Sequence, residues 1–564
     1  MKILQMHADF IEYTPIKKEI RAAEEAEPRT VREDDIVVLF TAFEAGDEAG
    51  EVKRAVSESK EFLAKLGTKR VMLYPFAHLS QRLAPPEEAL QLLLQMERDA
   101  RDAGLDVRRA PFGWTKALQV KVKGHPLAEM SRSYSAAAAA AVEKPRPKRE
   151  LTDAEAMARL RRSDFVGLPD TDHRVIGEKL DLFSFQEVSP GMVYLHEKGL
   201  RVRNTLVQYL REEYAKRGYR EVSTPSLANT ALWQVSGHTE HYKENMFLTS
   251  LGDEELGMKP MNCPSHFLIY KTRKWSFREL PVRYASFDPL FRNELSGVAS
   301  GLFRVKMLSQ DDAHIICMEE QAEEELGRLL DFMERVYKVF GLEYKVKIST
   351  RPDDSAGTDE EWRRATDTLV RAVKSRGWSY GIKDKEGNFY SPKIDVDIRD
   401  SQGREWQLGT FQLDLQMPKR FKLVYTGSDG KEHTPVVLHR TILGSLERFM
   451  GIMLEHYKGK LPLWLSPVQA VVIPLSDEHT PYARKVLDSL LAAGVWAEGD
   501  FASGTMGAKI RDAQLQQVPY MLVVGKKEED TGTVAVRTRA REQTLGVKVE
   551  DFIARVAEEK ASFR

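Results

Sequence analysis

Disulfide pairs, long apolar runs and an excess of one charge are all missing from these 564 residues. The two cysteines, Cys263 and Cys317, are too few for a disulfide framework and fit a reducing compartment, so each needs its own explanation. No apolar run nears the roughly 18 residues of a membrane helix, and no membrane partner is expected. The opening Met1–His7 stretch is too short and too soon followed by acidic residues to be a secretory signal. It reads as a β-strand, which makes a cytoplasmic location the default. With 84 basic and 85 acidic residues the net charge is −1, so any RNA partner must be held by local basic surface and not by the global field. A glycine-rich phosphate loop is absent too, in both its Walker and its dinucleotide forms. A nucleotide, if bound, must be held by arginines and magnesium.

What is present exceeds one core, and the chain divides by pattern into residues 1–135, a linker over 136–162, a large domain over 163–461 and a last domain over 462–564. The first alternates apolar runs, Asp35–Phe40 and Arg70–Tyr74, with a helical stretch from Glu87 to Ala103, a small α/β unit. Its turns carry Tyr74-Pro75-Phe76-Ala77-His78, Ala110–Lys116 and Gly124–Glu129, and loops at strand ends are where functional groups are displayed. The linker holds a run of alanines from Ala136 and the basic Lys144–Arg149 cluster, read as a solvated tether. In the large domain a helix is expected over Val193–Lys216, a turn and short strand over Gly218–Pro225, and antiparallel neighbours at Trp406–Leu415 and Val436–His439, an α+β class. After Pro467 buried strands at Val468–Pro474 and Tyr520–Gly525 alternate with helices at Tyr482–Ala493 and Val549–Lys560, which predicts a three-layer α/β domain with parallel strands.

Chemistry concentrates between Lys259 and Cys317. If Gln310–Met318 is a strand, its period of two sets Gln310, Asp312 and His314 on one face and Asp311, Ile315 and Cys317 on the other, so Cys317 reads as a small buried apolar residue. Cys263 with two histidines is a ligand set typical of zinc with a position kept open. The histidines available are His238, His241, His266, His314, His433 and His439, and spacing alone does not choose among them. Arg292 with Glu294, and Arg304, look like two ends of a hairpin, and arginine forks suit carboxylate and phosphate. Arg448 lies three residues after Ser445 on a helix expected to begin near Ile442.

Taken together, these residues resemble the class II aminoacyl-tRNA synthetases, in particular the threonyl-tRNA synthetase family. Gly218–Pro225, Phe291-Arg292-Asn293-Glu294 through Phe303-Arg304, and Leu443–Phe449 look like the three class motifs, while Met261-Asn262-Cys263-Pro264, Gln310–His314 and Leu438-His439-Arg440 mark the threonine branch. The resemblance implies an antiparallel catalytic core that joins L-threonine to tRNA(Thr), a homodimer through the first motif, Zn2+ on Cys263, His314 and His439, and Mg2+ with ATP as substrate. It further implies that Arg292 and Arg448 are catalytic and that His238 sits near the terminal ribose. Glu294, Arg304, Gln407 and Ser445 join Arg448 around the nucleotide, and Gln310, Asp312, Tyr390 and Gln412 around threonine. The first unit resembles the archaeal family's editing domain, with Lys116, His78 and Glu129 at its catalytic positions and Thr115 where an aromatic residue is usual. The last domain resembles the shared anticodon-binding domain, with Glu528, Arg537 and Arg511 at base-reading positions. Rival readings are an RNA-binding regulator without catalysis, an editing-only deacylase, and a proline or serine synthetase. The complete arginine set opposes the first and second; bound zinc and threonine-dependent pyrophosphate exchange separate the third.

Overall fold

The computed structural model describes residues 1–564 except 21, 81, 124–127, 135–152, 166, 295–299, 401, 402 and 564, so the linker's alanine run and basic cluster lie outside the described residues. Two compact units emerge, 1–150 and 151–564. In the first, the long strand Lys2–Lys18 pairs antiparallel with Val31–Ala42, Trp114–Val122 and Glu129–Ser133, and Arg70–Pro75 and Asp106–Arg109 continue the sheet in parallel. Helices Ala49–Lys65 and Pro86–Asp102 bury Val52, Phe62, Leu93 and Met96 against one face.

The second unit is built on an eight-stranded sheet in the order Tyr380–Lys383, Glu343–Ser349, Lys393–Arg399, Glu405–Asp414, Val436–Thr441, Asp312–Cys317, Val282–Ser286, Arg220–Glu221, antiparallel except at its two edges. The expected pairing of the 406–415 and 436–439 segments is present, with Gln412 opposite His439. Strand alternation sorts the Asp312–Cys317 residues as anticipated: Ala313, Ile315 and Cys317 enter the main core with helices Glu197–Ala215, Ala322–Val339 and Leu446–His456, while Ile316 joins a separate cluster with Cys263 and Phe267.

Three expectations need correction. The helix expected over Val193–Lys216 spans Glu197–Ala215, because Val193–Leu195 forms a short strand with Phe183–Phe185, and Leu200 is exposed, not on the buried stripe. The helix expected near Ile442 begins at Leu446, because Ser445 caps it, its hydroxyl accepting from the Arg448 N–H. The last domain's sheet is mixed: Ala497–Gly499, Ala470–Pro474 and Tyr520–Val524 are parallel, but Thr533–Thr538 and Gln543–Lys548 add an antiparallel hairpin, the connection between them being too short for a crossover. Its helices Thr480–Ala492 and Val549–Ala561 match the expected spans.

Candidate active site

Register builds the site's floor. Gln412, His439 and His314 are successive partners across three antiparallel strands, so their side chains form one row on one face of the sheet. Cys263 opens the helix Cys263–Tyr270 above that row, with Pro264 at its first turn. The ligand atoms of Cys263, His314 and His439 lie within 4.8 Å of one another, and all three residues are buried. Spacing left the triad open; cross-strand pairing selects it.

The surroundings orient each ligand. Asp414 Oδ2 lies 2.9 Å from His439 Nε2, which leaves Nδ1 for coordination, and His266 Nδ1 lies 2.8 Å from His314 Nδ1, which leaves Nε2. Burial lowers the His314 pKa, as do His439 and Arg440, so the imidazole stays neutral and keeps a lone pair. Burial pushes the Cys263 thiol well up, so a thiolate there needs a cation beside it. A soft divalent ion fits this donor set: two imidazoles, one buried thiol and no fourth protein ligand among the described residues of the cluster.

Polar groups frame the same pocket. Asn262 Nδ2 donates to Asp312 Oδ2 at 3.0 Å, and Asp312 Oδ1 is 3.9 Å from His314 Nε2. The Tyr390 hydroxyl donates to Gln412 Oε1 at 3.0 Å, freeing the Gln412 amide nitrogen to donate elsewhere. His238 is fully buried, with Ser236 Oγ 2.7 Å from Nδ1 and Met261 Sδ 3.1 Å from Nε2, on the segment leading into Cys263.

A cationic end adjoins this polar end. Strands Pro289–Phe291 and Met307–Ser309 form the expected hairpin, which carries Arg292 on one arm and leads back to Arg304 on the other, where Arg304 Nε donates to Glu294 Oε2 at 2.9 Å. Arg448 Nε donates to Phe303 O at 2.9 Å. Burial lowers the Arg448 pKa, and so do the charges of Arg304 and Arg292, the electrostatic mark of cations gathered with too little negative charge. Gln310 forms a bridge with Ser445, tying the polar strand to the capped helix. Gly444 (φ +68) packs so closely that a Cβ would come within 3.1 Å of Leu408 O, and the preceding residue, Gln407, donates to Asp395 Oδ1 at 2.6 Å.

Sequence reasoning passed over the pair beneath this floor. Asp311, on the opposite face from His314, accepts from Arg440 at 3.0 Å and from the Ile442 and Leu443 N–H groups, and both charged side chains are fully buried. Burial pushes the Asp311 carboxyl up, to about 7, against the pull of Arg440 and those backbone donors. Asp414 was findable, since it lies two residues after Gln412 and so on the same face.

In the first unit, Lys116 and His78 share a cavity of about 710 Å³ with Tyr74, Phe76 and Trp114. Lys116 Nζ donates to Pro111 O at 2.8 Å and Trp114 O at 3.2 Å and sits over the Tyr74 ring at 5.0 Å. Burial brings its pKa down to about 8, against the pull of Glu24. Glu129 is not brought there. It is exposed and pairs with Met6, whereas Lys116 pairs with Pro15, roughly 30 Å away along the same extended strand. The carboxylates beside the lysine segment are Glu24 and Glu19, the latter accepting from Thr115 Oγ1 at 3.0 Å.

In the last domain, Glu528 caps its own short helix through Gly525 N at 3.1 Å. Arg537 pairs with Met521, so the two share a sheet face, and its Nε has no partner among the described residues. Met521 packs with Ala513 of the helix Met506–Leu515, on which Arg511 is exposed.

Comparison with known proteins follows these divisions. Residues 1–134 match the archaea-specific editing domain of threonyl-tRNA synthetase, 246–457 the class II tRNA synthetase core domain (G, H, P, S and T), and 469–559 an anticodon binding domain. A threonine--tRNA ligase of Caldanaerobacter subterraneus subsp. tengcongensis is 46% identical over 391 residues, 69% of this chain and 61% of that protein. The chain thus spans about 61% of the length of the curated relatives it matches. The crystal structure of the RNA binding domain of threonyl-tRNA synthetase from Cryptosporidium parvum Iowa II superposes with a TM-score of 0.68 at 41% identity, covering 69% of this chain and 98% of that one. A putative threonyl-tRNA synthetase, ThrRS-1, from Aeropyrum pernix gives 0.61 at 28% identity, covering 70% and 96%.

Proposed function

This chain belongs to the threonyl-tRNA synthetase family, and from that premise we propose that it is a threonine-tRNA ligase. It activates L-threonine with ATP, passes the threonyl group to the 3′ end of tRNA(Thr), and hydrolyses seryl-tRNA(Thr) in its first unit. One observation carries the reading: the buried Cys263, His314 and His439 converge within 4.8 Å, beside a cluster of three arginines.

When bound there, zinc supplies open coordination positions for the amino and hydroxyl groups of threonine. Asp312 accepts from the substrate hydroxyl, and Gln310, Tyr390 and Gln412 fix the remaining polar atoms. Arg292 holds the substrate carboxylate and the α-phosphate in line, while Arg304 and Arg448 grip the outer phosphates, stabilising charge as it develops. Glu294 and Ser445 border the nucleotide, Gln407 is suited to Mg2+, and His238 to the terminal ribose of tRNA.

Magnitudes explain the first unit. A site built around a substrate hydroxyl rejects valine by roughly 10⁴ to 10⁵, but serine lacks only a methyl, so binding alone separates it by roughly 10 to 200-fold. Hydrolysis of seryl-tRNA beside Lys116 and His78 closes that gap. Two backbone carbonyls occupy two N–H groups of Lys116, and the third position, a lone pair in the neutral amine, takes the proton of the attacking water. Domains 1–135, 163–461 and 462–564 divide the work of editing, catalysis and anticodon reading by Glu528, Arg537 and Arg511, joined by the 136–162 linker, and the first motif supports a homodimer.

Purified protein should threonylate tRNA and carry one zinc per chain. Cys263→Ala should lose both and keep its circular dichroism. Full threonylation by metal-free protein contradicts the proposal.

A further inference from the structure

Outside the substrate pocket, one buried histidine has both ring nitrogens committed. His173 is fully buried at the start of the helix His173–Lys179. Its Nε2 accepts the Leu302 N–H at 2.9 Å, so the proton sits on Nδ1, which donates to Glu455 Oε1 at 2.7 Å. Asp172, His173 and Glu455 lie close enough together to hold a metal, but with both nitrogens used the imidazole has no lone pair to give. Glu455 is held from its other side by Arg404, which also pairs with Asp400 at 2.7 Å.

What this chain of contacts holds is a single turn. Gly301–Phe303 is one turn of 3-10 helix, and at Gly301 (φ +52) a Cβ would come within 2.2 Å of His173 Nε2. Phe303 is sandwiched between the His173 ring at 4.1 Å and the Trp406 ring at 4.3 Å, and its carbonyl accepts from Arg448. Arg304 follows directly. Behind the turn, Gly451 leaves so little room that a Cβ would meet Phe303 at 3.0 Å and Leu302 at 3.2 Å. Two of the three cationic side chains therefore take their position from a turn whose Leu302 N–H is satisfied by His173.

We propose that His173 is a positioning residue for the nucleotide: it sets the Gly301–Phe303 turn and, through it, Arg304 and Arg448. The inference rests on the ATP-dependent activation proposed above. It acts on the phosphate end of the pocket and leaves the Cys263–His314–His439 end untouched.

The test uses the full chain and pyrophosphate exchange, with KM for ATP and for threonine measured separately. His173→Phe keeps an aromatic ring against Phe303 but offers no acceptor; KM for ATP should rise roughly tenfold, the effect of one buried N–H left unpaired, while KM for threonine stays within about twofold. His173→Gln restores an acceptor and should recover most of the loss. Gly301→Ala breaks the same contact from the other side and should reproduce the ATP-selective effect. An unchanged KM for ATP in folded His173→Phe, or ATP and threonine KM rising together, overturns the inference. If His173→Phe does not fold, Gly301→Ala decides in the same way. Absence of exchange in the wild type would instead refute the activity on which the inference rests.

Discussion

Lys116 and the zinc-type triad show how far single residues can be read. Lys116 was named from the resemblance to the editing domain, yet its chemistry comes from a fold that buries it beside two carbonyls and brings its pKa to about 8. The neutral amine is the active form in this account. Deacylation of seryl-tRNA should therefore rise between about pH 7 and 9 and level off above, since the fraction of free amine grows as pH passes the lysine's pKa; a flat profile counts against the base role. Lys116→Ala should lose deacylation and keep threonylation, and unchanged hydrolysis in that variant sinks the assignment. Glu129 shows the limit: motif position placed it with Lys116, but strand register sets them at opposite ends of one strand. Register is a property of pairing, and no single segment encodes it.

Elements were legible where the local pattern was strong. Alternation in Asp312–Cys317 separated His314 from Cys317, and the helices Thr480–Ala492 and Val549–Ala561 kept their expected spans to within two residues, because buried stripes and period-two faces are local signals. Boundaries set by tertiary partners were not. Ser445 ends the loop before its helix by capping Arg448 N, and Val193–Leu195 leaves the helix to pair with Phe183–Phe185. The same holds for the Asp311–Arg440 pair, whose members lie 129 residues apart and meet only because the strand that follows Asp311, Asp312–Cys317, neighbours Val436–Thr441, which carries Arg440. Asp311→Asn leaves a fully buried guanidinium without its counter-charge and should destabilise the second unit by roughly 3 to 5 kcal/mol. Calorimetry should show that unit's transition lowered and the first unit's unchanged; equal stability would mean Arg440 is neutralised by other means.

At the scale of the whole molecule, the proposed division of labour follows from what one pocket can and cannot discriminate. Among the described residues no helix is long and apolar enough to cross a membrane, and the near-zero net charge would leave any RNA contact to local basic surfaces. The boundary after the first unit was legible because composition changes there, and the structure divides the chain into 1–150 and 151–564. The central claim is that a metal on Cys263, His314 and His439 reads the substrate hydroxyl, and pyrophosphate exchange with threonine, serine and valine, before and after chelation, tests it most directly. The account predicts serine within roughly 10 to 200-fold of threonine and valine lower by roughly 10⁴ to 10⁵, with threonine exchange lost on chelation and restored by zinc. Threonine selectivity that survives removal of the metal would contradict it.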